Sequence, residues 1–309
     1  MALKGVPRSA RDDKRERDEE CTGLVTKTRV SLPLPPHFSF DAVVRSHGWY
    51  DLPPFSYDRA AGTLGTRVAG RSLAFRASGA RLLAEGDGVS APELRAAARR
   101  IFSLDVELSA FDAALSAEPS LRRALRRGGG RMLRGVDVFE DAVKMLLTTN
   151  CSWEATRGMV RRLIELASPD GDSFPGPEAV ARFSPATLRL RVRCGYRARS
   201  LSRLARRVAS GRLELSSWED RGRPAAEIRD AILEEDGFGP YAAEGLLRIL
   251  GRHDYLALDS WVRQKYRSLY PGPKKKTDAS IARRYARHGD YRGLAMWLEL
   301  TDEWHTGKT

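Results

Sequence analysis

The sequence predicts an α+β protein, with a small N-terminal antiparallel β-sheet followed by a mostly α-helical unit. Three observations predict it. From Thr63 to Glu85 apolar and polar residues alternate in short runs, with Ser78-Gly79 as a turn, which is the period of half-buried strands. From Ser90 onward the period becomes that of amphipathic helices and stays so. Between Ala225 and Leu250 two such helices are joined by Asp236-Gly237-Phe238-Gly239-Pro240, a tight hairpin.

The chain has 309 residues, enough for two or three sub-domains with cores of their own, and 42% hydrophobic content excludes a disordered chain. Its net charge of +13 is dominated by Arg and favours a polyanionic partner, because the guanidinium fork matches phosphate. A general solubilising excess is the plainer reading of the same charge. Cys21, Cys151 and Cys194 are scattered and offer neither a disulfide framework nor metal-ligand spacing, so no metal is assigned and a reducing, cytoplasmic setting is expected. No apolar run is long enough to cross a membrane, and Met1 to Glu20 is charged and lacks a signal-peptide core. No membrane partner is expected.

In chain order, residues 1–22 read as a charged disordered tail, 23–128 as an N-terminal α+β domain and 129–309 as a helical domain with its hairpin at 225–250. Val30, Leu32 and Leu34 alternate with Ser31 and Pro33 as an edge strand would. Phe38 to Ser46 reads as a helix, and an aromatic loop with Trp49, Tyr50 and Phe55 follows. Ala91–Phe102 and Ala110–Ala117 are helices. Gly128-Gly129-Gly130, amid Arg122, Arg123, Arg126, Arg127, Arg131 and Arg134, reads as a flexible basic connector. Helices then carry Phe139, Ala142, Val143 and Leu146; Met159, Val160, Leu163 and Ile164; and Leu201, Leu204, Ala205 and Val208. Beyond the hairpin a strand-like run, Tyr255-Leu256-Ala257-Leu258, delivers Asp259 to a helix at Ser260–Leu269. A last helix carries Tyr291, Leu294, Ala295 and Leu298.

The hairpin and the Asp carry the chemistry. A Gly-x-Gly turn opening a helix aims free backbone N–H groups at a phosphate. Asp259 sits about twenty residues after Gly237 and Gly239. On local sequence alone Asp259 is an N-cap, and that role is compatible with a second one.

Gly237-Phe238-Gly239-Pro240-Tyr241-Ala242-Ala243-Glu244, followed by Leu258-Asp259-Ser260-Trp261-Val262-Arg263-Gln264, resembles the helix-hairpin-helix (HhH-GPD) superfamily of DNA glycosylases, in particular the 3-methyladenine and 8-oxoguanine enzymes. The resemblance spans roughly 30 to 304. It implies a glycosylase core behind a small sheet domain, and double-stranded DNA with a damaged base as partner. It makes Asp259 the catalytic carboxylate, and Gly237 and Gly239 the phosphate grip. Relatives that cleave the strand carry a Lys where this chain has Tyr241, so the resemblance implies a monofunctional enzyme using water. Tyr241 either packs on the hairpin or lines the pocket.

Gly195-Tyr196-Arg197 is similar to the stretch that wedges a Tyr into the base stack and offers an Arg to the orphaned base. Thr148-Thr149-Asn150 resembles the stretch whose Asn fills the space left by the extruded nucleotide. The second orphan-reading Arg would fall at Ala155, which relaxes discrimination of the opposite base. Trp49, Tyr50, Phe55, Trp261 and Trp297 are candidates for stacking on the base, or simply core. The run around Trp49 lacks the Gly-Gln-Ser-Phe-Arg-Trp of the 8-oxoguanine enzymes. Some relatives hold an iron–sulfur cluster on four closely spaced Cys after the hairpin; no Cys follows Cys194, so no cluster is expected, and the resemblance leaves room only for a monovalent cation at the hairpin. A monomer is expected. Two other functions fit parts of the pattern: a bifunctional 8-oxoguanine-type glycosylase/lyase, against which Tyr241 argues, and a non-catalytic helix-hairpin-helix DNA-binding protein in which Asp259 only caps.

Overall fold

In a computed structural model, which describes residues 26–115, 118–273 and 276–305, five strands form one antiparallel sheet. They are β1 (Lys27–Pro33), β2 (Ser56–Asp58), β3 (Thr63–Val68), β4 (Arg71–Ser78) and β5 (Arg81–Asp87), in the order β1-β5-β4-β3-β2. The expected charged tail at 1–22, Cys21, Lys274 and Lys275 lie outside the described residues. Alternation sets the buried face. Val30, Leu32, Leu64, Leu73, Phe75, Leu82 and Ala84 point inward, and Phe75 pairs with Ala84 on one side and Leu64 on the other. β1 is the predicted edge strand; β2, only three residues long, gave no periodic signal.

Helix α1 (Phe40–Val44), shorter than the Phe38–Ser46 expected, and α2 (Ala91–Ile101) cover that face. Phe102 makes the seam, with ring centroids 5.1 Å from Phe40 and 5.4 Å from Phe75. Ser90 starts α2 with a capping box to Glu93.

The helical part comprises α3 (Ser109–Leu115), α4 (Pro119–Arg126), α5 (Val138–Thr148), α6 (Trp153–Ala167), α7 (Pro177–Ala181), α8 (Pro185–Arg191), α9 (Arg197–Ala209), α10 (Ala225–Leu233), α11 (Pro240–Ile249), α12 (Ser260–Leu269), α13 (Asp278–Tyr285) and α14 (Arg292–Thr301). Two apolar cores divide these elements. One joins the sheet, α1 and α2 to the helices α5 through α11. The other joins α3 and α4 to α12, α13 and α14, through residues such as Phe111, Leu121, Val262, Tyr266, Ile281 and Leu294. Residues 106–126, which the sequence reading groups with the N-terminal sheet, thus pack with the C-terminal helices.

Two readings need correction. Gly128-Gly129-Gly130 is not a flexible connector. Gly128 and Gly130 are buried, and the N–H groups of Gly128 and Gly129 donate to the carbonyls of Leu125 and Ala124, closing α4. Tyr255-Leu256-Ala257-Leu258 is not a strand; it runs without a sheet partner, with Ala257 at φ 51°. The carboxylate of Glu244 holds it, one oxygen accepting from the Ala257 N–H at 2.9 Å and the other from the guanidinium of Arg229. On its other side α14 packs against it at Gly293, where a Cβ would stand 1.9 Å from the Tyr255 carbonyl oxygen. This run is the platform for Asp259.

Candidate active site

The hairpin forms as the sequence predicts. Ile228 and Ile232 of α10, and Ala242, Ala243, Leu246 and Leu247 of α11, bury one apolar face each. Phe238 turns inward between the two glycines. Gly237 has φ 90°, and a Cβ there would lie 2.6 Å from Leu146 of α5 and 2.8 Å from the Ser200 hydroxyl of α9. Gly239 is different: exposed, at φ −82°, with nothing within 4 Å of where a Cβ would sit. It caps α11 without a side chain, and Pro240 follows, so the N–H groups of the first turn face outward uncapped.

Between the two cores opens a cleft of about 600 Å³. Trp49, Met145 and Ile249 reach it from the first core; Met132, Val262 and Trp297 reach it from the second. Asp259, Tyr241 and Trp261 all line it. So does Trp49, although it is 3% exposed and its Nε1 donates to Asp141 at 2.7 Å; it is both core and cleft wall. Trp261, Trp297 and Trp304 form a trio with centroids 5.5 to 5.7 Å apart. His47, buried, donates from Nε2 to the Leu133 carbonyl at 2.7 Å, and burial depresses its pKa to about 4, so it is neutral there.

Asp259 is the N-cap of α12: its Oδ1 accepts from the Val262 N–H at 2.6 Å. Among the described residues no hydrogen bond or ion pair engages Oδ2. Tyr241, on the first turn of α11, is close enough that burial and then the Asp259 carboxylate both raise its phenol pKa, which keeps it protonated. No lysine is among the cleft-lining residues.

At the end of α5, Asn150 is exposed with φ 47°, and its Nδ2 donates to the Tyr196 hydroxyl at 3.1 Å. Tyr196 itself is 62% exposed, which is unusual for an aromatic. Arg197 does not point outward as the resemblance implies. It is 6% exposed; its guanidinium lies over the Tyr196 ring and donates to the Thr149 hydroxyl and carbonyl and to the Cys194 carbonyl. In this structure it ties the Asn150 and Tyr196 loops together. The exposed arginine beside it is Arg199. Arg199, Arg203, Arg206, Arg207 and Arg212 line a groove of about 520 Å³ on α9 that reaches Asp236 of the hairpin.

Arg248, Trp153 and Trp304 line the cleft but were not singled out from sequence as cleft residues. The signal for Arg248 was a charged residue on the face of α11 that is otherwise apolar.

No family model matches the sequence. A curated relative, the probable bifunctional transcriptional activator/DNA repair enzyme AlkA of Mycobacterium tuberculosis, is 28% identical over 213 residues, 65% of this chain and 42% of the relative. The chain therefore spans less than half the length of the curated relative. The solved structure of MBOgg1 with a low-affinity DNA ligand superposes with TM-score 0.72 at 23% identity, covering 91% of this chain and 97% of that one. The 3-methyladenine DNA glycosylase from Archaeoglobus fulgidus superposes with TM-score 0.69 at 18% identity, over 90% and 99% of the two chains. The protein has the helix-hairpin-helix DNA glycosylase fold.

An apo 8-oxoguanine glycosylase/lyase from Clostridium acetobutylicum matches equally well, with TM-score 0.69 at 18% identity over 89% and 97% of the chains. The shared glycosylase fold thus extends across the sheet, the hairpin and the closing helices. Among the described residues no helix is long and apolar enough to cross a membrane.

Proposed function

We propose that the protein is a monofunctional DNA glycosylase, which extrudes a damaged purine, alkylated or oxidised, from duplex DNA and hydrolyses its N-glycosidic bond. One observation carries this reading: the carboxylate of Asp259, fixed by α12 with one oxygen free, lines an aromatic cleft deep enough for a base. The uncapped N-terminus of α11 grips a backbone phosphate of the flipped strand. Tyr196, steadied by Asn150, fills the gap in the stack. The base stacks in the cleft on indole faces. As the bond from C1′ to the base nitrogen breaks, its electron pair leaves with the base and positive charge grows on the sugar. The Asp259 carboxylate stabilises that charge and orients water for attack on C1′. The water oxygen bonds to C1′, its proton passes to Asp259 and then to solvent, and the released base is protonated.

The test is product release from duplexes that each carry one modified purine. Free base should appear with an intact abasic strand that breaks only after alkali. Borohydride should trap no protein–DNA adduct, because no lysine lines the cleft. A trapped adduct would make the enzyme a lyase, and no base release from any duplex would leave a binding module.

The two hairpin glycines separate folding from DNA contact. Gly237→Ala meets Leu146 and a left-handed backbone, which costs about 1–2 kcal/mol in conformation alone and lowers the melting temperature. Gly239→Leu has room within the protein and should melt as the parent does. It should nevertheless weaken duplex binding by roughly tenfold, since it blocks a backbone hydrogen bond to a charged group. Anisotropy titration against melting curves reads both; unchanged binding by Gly239→Leu would place the phosphate grip elsewhere.

A further inference from the structure

Arg248 lies one residue before the end of α11, seven residues after Tyr241 and eleven before Asp259, and is 7% exposed. Buried arginines elsewhere in the chain are well partnered. Arg134 donates to the carbonyls of Ile249 and Leu250 and pairs with Asp105; Arg197 donates to the hydroxyl and carbonyl of Thr149 and to the Cys194 carbonyl. Arg248 has one long hydrogen bond, Nη1 to the Leu256 carbonyl at 3.5 Å, and among the described residues no carboxylate within ion-pair distance. A guanidinium carries five N–H donors, so most of its donor capacity is unmatched by the protein. It is part of the cleft wall, with its Cζ 4.2 Å from the centroid of the Trp297 ring.

That placement bears on what the cleft accepts. An aromatic wall attracts a cationic ring, but here the Trp297 face already holds a protein cation. Desolvation lowers the Arg248 pKa only to about 10, so the side chain stays charged at neutral pH. A second positive charge entering the same low-dielectric space is repelled. A carbonyl on the base edge would instead take up the unmatched donors.

Resting on the glycosylase reading above, we propose that Arg248 is a specificity-determining residue: it reads an exocyclic carbonyl on an uncharged extruded purine and disfavours purines made cationic by N-alkylation. Oxidised and deaminated purines share the required chemistry. Arg248→Met keeps the length of the side chain against Trp297 and removes both charge and donors. Arg248→Lys keeps the charge and loses the fork.

The experiment measures single-turnover release and equilibrium binding on four duplexes, carrying 8-oxoguanine, hypoxanthine, 1,N6-ethenoadenine or 7-methylguanine. Wild type should process one or both carbonyl-bearing neutral bases, which tells the oxidised source from the deaminated one, in preference to cationic 7-methylguanine. Arg248→Met should lose about tenfold or more on the two neutral carbonyl bases, 8-oxoguanine and hypoxanthine, the range of one good bidentate contact, and gain relative to wild type on cationic 7-methylguanine. Arg248→Lys should lose on the carbonyl bases without that gain. Affinity for a duplex with a tetrahydrofuran abasic analogue should be the same in all three proteins, which controls for folding. An equal loss across all four bases, or a wild-type preference for 7-methylguanine, would overturn the inference. Absence of release from every duplex would defeat the glycosylase reading alone; equal binding of neutral and cationic lesion duplexes would then defeat this one.

Discussion

Asp259→Asn should slow base release at least about a hundredfold on any lesion the protein processes, with little change in melting temperature. The structure sharpens both halves of that expectation. The Asn side-chain oxygen can accept from the Val262 N–H as Oδ1 of Asp259 does, so the start of α12 keeps its cap. What disappears is the negative charge in the cleft. General-base participation is typically worth ~10²–10⁴-fold, and stabilisation of the developing oxocarbenium ion adds to it. Lesion-duplex affinity should persist or rise, because a carboxylate beside phosphates is repulsive in the ground state. Single-turnover kinetics and a thermal melt decide it. Release at the wild-type rate would remove Asp259 from the mechanism. A loss of activity that tracks unfolding would reduce it to a cap and leave the catalytic carboxylate unassigned.

The parts of the site that were legible in the sequence are those encoded locally. The hairpin needs glycines at a fixed spacing between two amphipathic runs, and Asp259 needs a helix start behind it; each shows within one short contiguous stretch. The sheet was legible because inward and outward residues alternate along β3, β4 and β5. The outward Tyr196 and the left-handed Asn150 came from a motif and not from periodicity, and the structure brings the two into contact across 46 positions of sequence. Arg197 shows the limit of that route. A motif gives a residue its place in the chain but not its rotamer, and here three protein acceptors turn the guanidinium inward. The glycine triplet failed for a related reason: Gly128-Gly129-Gly130 looks like a hinge until Ser39 and Leu298, distant in sequence, are packed on it.

The cleft was the least legible element. Its walls come from the loop at 47–50, from α5, from α11, from α12 and from the chain end at Trp297 and Trp304, so its shape and charge exist only once both cores have formed. A lone Arg in Leu-Leu-Arg-Ile-Leu could equally have turned outward to water. Only packing fixes it beside Trp297, and with that the cleft carries a cation that composition could not reveal.

Lys144→Met should destabilise the fold by about 3–5 kcal/mol, the usual consequence of removing one member of a buried ion pair. Lys144 and Glu140 lie one turn apart on α5, both with 0% side-chain exposure, and pair at 2.5 Å. The ammonium also sits over the rings of Phe55 and Phe174, at 4.8 and 5.7 Å from their centroids, which ties the aromatic loop and the segment before α7 to α5. With Lys144 gone, the Glu140 carboxylate keeps one partner, the Val136 N–H that donates to Oε2 at 2.9 Å, and is otherwise a buried charge without compensation. Glu140→Gln retains an acceptor for that N–H and carries no charge, so the double variant Lys144→Met/Glu140→Gln should recover much of the loss. A double-mutant cycle in urea isolates the coupling between the two. A single-variant cost below about 1 kcal/mol, or a double variant no better than the single, would mean that the pair is dispensable and that packing alone holds α5. Neither side chain lines the cleft, so excision by Lys144→Met well below its melting temperature should match the parent. The pattern is the reverse of that expected for Asp259→Asn, where the rate falls and the fold stands: the two carboxylates at the starts of α5 and α12 differ in that one is matched by its own lysine and the other is left open to the cleft.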